Sequence, residues 1–200
     1  MDAGLSGPLD WACQSRPLYP EAESGDIHVV APFVDGALLA VADGLGHGSE
    51  AAAAARLAAA TLMAHASEEP GQLISKCHQA LRGTRGAAVL VLSLSYQQAR
   101  VAWAGIGNVE GWHLRATGRE ALISGVGVVG YQLSSPRLRS SPLAPGDMFV
   151  LATDGISARF GQDIATVPPD RLATTIFDRH ARATDDALVL VARYGQETAA

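Results

Sequence analysis

Apolar residues along the chain fall into short, nearly unbroken runs separated by turn-forming residues, with two longer alanine-rich or amphipathic stretches between them. Leu38 to Ala42 is too short and too uniformly apolar for a surface helix, which predicts a strand covered on both faces. Asp26 to Phe33 reads as the strand before it. Asp35-Gly36 between them is a strong hairpin signal. After the glycine-rich turn Gly44 to Gly48, the alanine run predicts a helix over Ser49 to Ala66 with Ser49 as its N-cap. Glu68-Glu69-Pro70-Gly71 is a turn, and Gln72 to Leu81 a second helix. Strand-like runs follow at Ala87 to Tyr96, Arg100 to Ala104, Val109 to Leu114 and Glu120 to Ser124, with the spacing of an antiparallel meander. Met148 to Thr153 and Ala187 to Ala192 are the last two apolar strands, with a third helix between Pro169 and Arg182. Residues 1 to 24 are polar and punctuated by proline, with one strand expected around Leu9 to Ser15.

The hairpin fixes the most informative geometry. Residues equally far from an antiparallel turn face one another, and Asp26 and Asp43 are nearly symmetric about Val34-Asp35. The pair Asp154-Gly155 repeats the strand-Asp-Gly order of Asp43-Gly44. Asp185-Asp186 precedes the final strand. If that strand runs antiparallel to Met148 to Thr153, Asp154 and Asp185 share a rim. An isolated Asp at a strand end is usually a turn residue. Four segments that each deliver one to a strand terminus suggest instead a cation held between like charges that would otherwise repel. Oxygen-only ligands select Mg²⁺ or Mn²⁺ over zinc. Four acids suffice for two ions, and a two-metal site with a bridging water is suited to phosphate ester hydrolysis.

Composition narrows the class. A chain of 200 residues with 48% hydrophobic content predicts a single domain over residues 1 to 200. The net charge of −5, with Lys76 the only lysine, argues against a nucleic-acid or anionic-membrane surface. Cys13 and Cys77 have no metal-type spacing and fit free thiols in a reducing cytoplasm. No run approaches the roughly 18 apolar residues of a membrane span. The expectation is a soluble cytoplasmic protein. A dinucleotide-binding turn is the rival reading of Gly44 to Gly48, but its strand belongs to a hairpin and no acid ends a second parallel strand. Gly-Lys-Ser/Thr, needed for a P-loop, is absent.

The landmarks Ser24-Gly-Asp26, Ala40-Val-Ala-Asp-Gly-Leu-Gly46, Arg85-Gly86, Gly107-Asn-Val109, Ile123-Ser-Gly125, Thr153-Asp-Gly155 and Asp185-Asp186 resemble, in order and spacing, the metal-dependent PPM (type-2C) serine/threonine protein phosphatases. The likeness is to their small bacterial branch in stress and sporulation signalling. The resemblance implies an α+β fold, a four-layer α/β/β/α sandwich of two packed antiparallel sheets flanked by helices. It implies two Mn²⁺ or Mg²⁺ ions, with Asp43 bridging them, the Gly44 carbonyl and Asp26 serving the first, and Asp154 and Asp185 completing the second. Asp186 stands where the family often has Asn, a supporting position. The implied substrate is a phosphorylated STAS-domain protein, a stressosome scaffold or anti-sigma-factor antagonist, acted on by a monomer.

The chain departs from larger members in carrying Leu45 where they have a histidine, and in lacking a matching N-terminal arginine. His47 either approaches the site or stands in solvent at the helix start. Arg85 either holds phosphate or is a turn residue. Gly125 to Gly130 either borders the site or is a bend between strands. With the acid and arginine missing, a catalytically degenerate fold that binds phosphoproteins is the alternative to an active phosphatase.

Overall fold

The structure, a computed structural model, describes residues 1–133, 135–162, 164 and 166–195. The strands are β1 (Asp2–Ser6), β2 (Leu9–Arg16), β3 (Asp26–Phe33), β4 (Gly36–Gly44), β5 (Ala87–Ser95), β6 (Arg100–Ile106), β7 (Glu110–Arg115), β8 (Gly118–Ala121), β9 (Gly127–Val128), β10 (Gln132–Leu133), β11 (Arg139–Pro142), β12 (Met148–Ala152) and β13 (Ala187–Tyr194). The helices are α1 (Ser49–Ala64), α2 (Pro70–Ala80) and α3 (Pro169–His180), with a 3₁₀ turn at Ala158–Gln162. One sheet has the order β1-β2-β13-β12-β7-β8, the other β11-β6-β5-β4-β3, and β9 and β10 form a small ribbon. All of their strand pairs are antiparallel.

The continuous apolar runs have a direct cause in this layering. Along β4, Leu39 and Val41 point into the space between the sheets with Leu90, Leu92, Trp103, Phe149 and Leu190. Leu38, Ala40 and Ala42 point the other way, onto Ala54, Ala58 and Leu62 of α1 and Leu73 of α2. In the second sheet Phe149 and Leu151 face inward, while Met148, Val150 and Ala152 pack with Leu172 and Ile176 of α3. Strands buried on both faces have no polar side to alternate with. The result is helix, sheet, sheet, helix, as the resemblance implies. The alanines of α1 let it lie close to β4: a side chain at Gly44 would run into the Ala51 backbone.

Three local expectations are corrected. The N-cap of α1 is Gly48, with φ of 78°, and Ser49 is the first helical residue without a capping bond. The N-terminal segment makes two strands, β1 and β2, paired as a hairpin. The expected meander is divided between the sheets: β5 and β6 belong to one, β7 and β8 to the other, and the chain crosses at Gly107-Asn108. Gly107, at φ of 99°, supplies a turn that a side chain would resist.

Candidate metal and phosphate site

The hairpin register is as the turn predicts: Asp26 lies directly opposite Asp43. In the other sheet β12 and β13 run antiparallel, with Ala152 opposite Val189. The chain following β12 therefore meets the chain entering β13, which places Asp154 beside Asp185 at one rim. The two rims are tied together. Leu188 donates its amide hydrogen to Thr153 Oγ1 at 3.0 Å, and the Thr153 hydroxyl donates to Asp26 Oδ2 at 2.6 Å. Asp186 makes a second tie, accepting from the Leu18 amide at 2.8 Å and the Gly25 amide at 2.9 Å. A side chain at Gly155 would strike the Asp186 backbone, and one at Gly25 would crowd its carboxylate. Gly155 is thus required by the close approach of two main chains, and Gly25 leaves room for the Asp186 carboxylate and Ala51.

Electrostatics distinguish these acids. Burial, followed by the charges of Asp26, Asp154, Asp185 and Asp186, pushes the Asp43 carboxyl up to about 9. Asp26 is pushed up to about 7, again chiefly by burial, with the Thr153 hydrogen bond opposing and the neighbouring acids adding. Asp185 is raised by burial and by Asp154. Among the described residues no three His, Cys, Asp or Glu side chains stand as a ready ligand group. The acids face one rim from two sheets without converging on a point. Their chemistry still fits a hard divalent cation: oxygen donors only, partly withdrawn from solvent, and held against mutual repulsion that a cation would relieve.

Asp43, Asp154 and Asp185 line a cavity of about 630 Å³, together with Leu45, Gly46, His47, Asn108 and residues 124 to 128. The Gly125 to Val128 segment therefore borders the cavity, and backbone pairing holds it: Gly125 bonds to Gly105 and Gly107, and Val129 to Ala87. Asp26, 7% exposed, is not among the lining residues. Gly44 ends β4 beside the same rim, its amide bonded to the Gly25 carbonyl. His47 opens on the cavity and its Nδ1 lies 3.1 Å from Glu21 Oε1. Arg85 is not among the lining residues; its Nε donates to Glu50 Oε2 at 2.6 Å, close above Gly46.

Of three supporting residues, Asn108 and Thr153 stand in the landmark motifs and Glu21 had no sequence signal. Asn108 Nδ2 donates to Asp154 Oδ2 at 2.5 Å and so orients that acid. Glu21, in the proline-rich segment, reaches His47. Thr153 joins Asp26 across the sheets, a contact between residues 127 apart in sequence that no local pattern encodes.

The model of the Stage II sporulation protein E (SpoIIE) family matches residues 34–196. The chain belongs to this family, and its sandwich is the PPM phosphatase fold. Phosphoserine phosphatase RsbX of Bacillus subtilis (strain 168) is 28% identical over 123 residues, 60% of this chain and 61% of that protein. That match thus spans less than two thirds of the relative. A solved chain described as "The bacterial stressosome: a modular system that has been adapted to control secondary messenger signaling" is 29% identical, with TM-score 0.86 over 92% of this chain and 99% of its own. The crystal structure of RsbX in complex with magnesium shares the fold, with TM-score 0.87 and 18% identity over 97% of this chain and 99% of that one.

No helix among the described residues is long and apolar enough to cross a membrane.

Proposed function

We propose that residues 1 to 200 form one domain, a divalent-metal-dependent phosphoserine/phosphothreonine protein phosphatase. The observation that carries this reading is that Asp26 and Asp43, paired in register on one sheet, stand within electrostatic reach of Asp154 and Asp185 from the other, with Asp43, Asp154 and Asp185 lining one cavity. Asp26, Asp43, the Gly44 carbonyl, Asp154 and Asp185 would hold two Mn²⁺ or Mg²⁺ ions, Asp43 being shared. Such ions supply charge neutralisation for a phosphoryl group and a water made nucleophilic at neutral pH.

The chain's own residues do the rest. Thr153 fixes Asp26, Asn108 fixes Asp154, and Asp186 holds the Gly25-Asp26 backbone in register with β13. His47, held by Glu21, is assigned protonation of the departing serine oxygen, the task left open by Leu45. The Arg85–Glu50 pair braces the glycine turn, and Arg85 has its guanidinium above Gly46, within reach of a phosphate that displaces Glu50. The substrate we infer is a phosphorylated STAS-domain regulator in a cytoplasmic stress pathway, acted on by a monomer. This inference is supported by the RsbX and stressosome likenesses.

The test is hydrolysis of an aryl phosphate and a phosphoserine peptide with Mn²⁺, Mg²⁺ or chelator. Metal-dependent turnover that disappears in Asp43→Asn is expected. The second reading, a binding-only phosphatase fold, is favoured by the engagement of Arg85 with Glu50. It predicts two bound ions and phosphopeptide binding without turnover.

A further inference from the structure

Beside the acidic cavity lies a second hollow of about 480 Å³, lined by Ile123, Ser124, Gly125, Val126, Ser135, Arg137 and Arg139. Ser124, Gly125 and Val126 belong to both hollows, so one surface leads from the acids to the arginines. The shared wall is braced. Gly125 is bonded through its amide to Gly105 and through its carbonyl to Gly107, and the Ser124 hydroxyl donates to the Val109 carbonyl. On this wall Ile123 is 60% and Val126 89% exposed. Arg137 and Arg139 are exposed, and neither has an ion-pair or hydrogen-bond partner among the described residues. In a chain of net charge −5, Arg85, beside the glycine turn, is already engaged by Glu50.

We propose that this hollow is the subsite for the residues flanking the phosphoserine, and that it selects substrate segments carrying acidic side chains next to an apolar one. The inference rests on the phosphatase reading for what occupies the neighbouring cavity. Its basis is charge complementarity: the acids hold cations and phosphate, while Arg137 and Arg139 remain open to carboxylates a short distance along the same extended segment. Ile123 and Val126 offer apolar contact between the two. A substrate with a basic flank would meet uncompensated repulsion there, which makes the pair a device of selection as well as of affinity.

The experiment uses the Mn²⁺-loaded full chain and two probes. The first is anisotropy with phosphonate analogues of a phosphoserine peptide, which bind without being hydrolysed. One series carries a Glu-Glu pair at successive positions on either side, and a matched series carries Lys-Lys. The second probe is aryl phosphate turnover. One placement of Glu-Glu should bind about tenfold tighter than its Lys-Lys counterpart, and Arg137→Glu/Arg139→Glu should erase or invert that ratio. Aryl phosphate turnover in the double variant should stay within about twofold of wild type, because neither arginine lies in the acidic cavity. Equal affinity for all placements, an unchanged ratio in the double variant, or no binding of either series overturns the subsite. Charge-selective binding without aryl phosphate turnover would instead sink the phosphatase reading and leave the subsite standing.

Discussion

The strand β12 has an aspartate at each end, and the two live in opposite circumstances. Asp147 enters the strand 3% exposed and is fully engaged: it lies 2.9 Å from His113 Nε2 and accepts the Ala144 amide at 2.9 Å. His113 is completely buried, its Nδ1 3.0 Å from Ser141 Oγ and its ring stacked on Phe149. Burial lowers the imidazole pKa, with the Asp147 hydrogen bond opposing, so the ring is held by hydrogen bonds rather than by charge. Asp154, beyond the other end, instead joins a group of carboxylates in which burial first, and like charge after it, raises Asp43 and Asp26. One end is polar and satisfied, as a buried network that serves the fold must be. The other concentrates unfavourable charge, the mark of a site built for a ligand.

That contrast is broken most sharply by Asp43→Asn. It should cost about 10³-fold or more in turnover, measured by phosphate release from a phosphoserine peptide, because the proposed shared metal ligand would be gone. The same change in chelated protein should raise the melting temperature at pH 8, because Asp43, with a folded-state value of about 9, must take up a proton to be buried at that pH and Asn need not. At the satisfied end the pattern reverses. Asp147→Ala strands the His113 and Ala144 donors and should cost about 1–3 kcal/mol, read by denaturant unfolding, with specific activity of the folded protein preserved. Loss of activity without loss of stability there would erase the distinction between the two ends.

Smaller effects sharpen the comparison. Asn108→Ala frees the Asp154 carboxylate from its orienting amide and should reduce metal affinity or kcat about 10- to 100-fold, readable from a Mn²⁺ activation curve. The pH dependence of metal-free stability follows from the folded-state values of about 7 for Asp26 and about 9 for Asp43. Both exceed the ordinary carboxyl value near ~4, so the folded state binds more protons between those limits and loses stability as pH rises. Chelated protein should therefore melt progressively lower from pH 5 to pH 9, with a shallower slope in Asp43→Asn. Asp35→Asn should be close to silent, within about 0.5 kcal/mol, because Asn tolerates the positive φ of 63° in that hairpin turn.

The sequence carried the hairpin and its acids because that information is local: a two-residue turn signal and strand lengths fix the register that sets Asp26 against Asp43. It carried the Asp154–Asp185 rim through the assumption that two apolar strands pair, which they do. Exposed edge strands left no such trace. The β1 segment Asp2–Ser6 and the β11 segment Arg139–Pro142 have no apolar run, because neither buries a continuous face. The crossing at Gly107-Asn108 was hidden because strand spacing alone does not say which sheet receives the next strand. Asp186 was expected at a supporting position, but its bonds to the Leu18 and Gly25 amides emerge only when segments more than 160 residues apart meet.

If the acidic rim is a cation site, its carboxyl groups burden the fold until a cation arrives. Thermal unfolding at pH 8 with chelator and with Mn²⁺, for wild type and Asp43→Asn, tests it most directly. The account predicts that Mn²⁺ raises the wild-type melting temperature by several degrees, about 2–4 °C per kcal/mol of binding energy gained. It also predicts that Asp43→Asn starts higher in chelator and gains little from the metal. An unchanged wild-type melting temperature, or a chelated Asp43→Asn that melts below wild type, would contradict it.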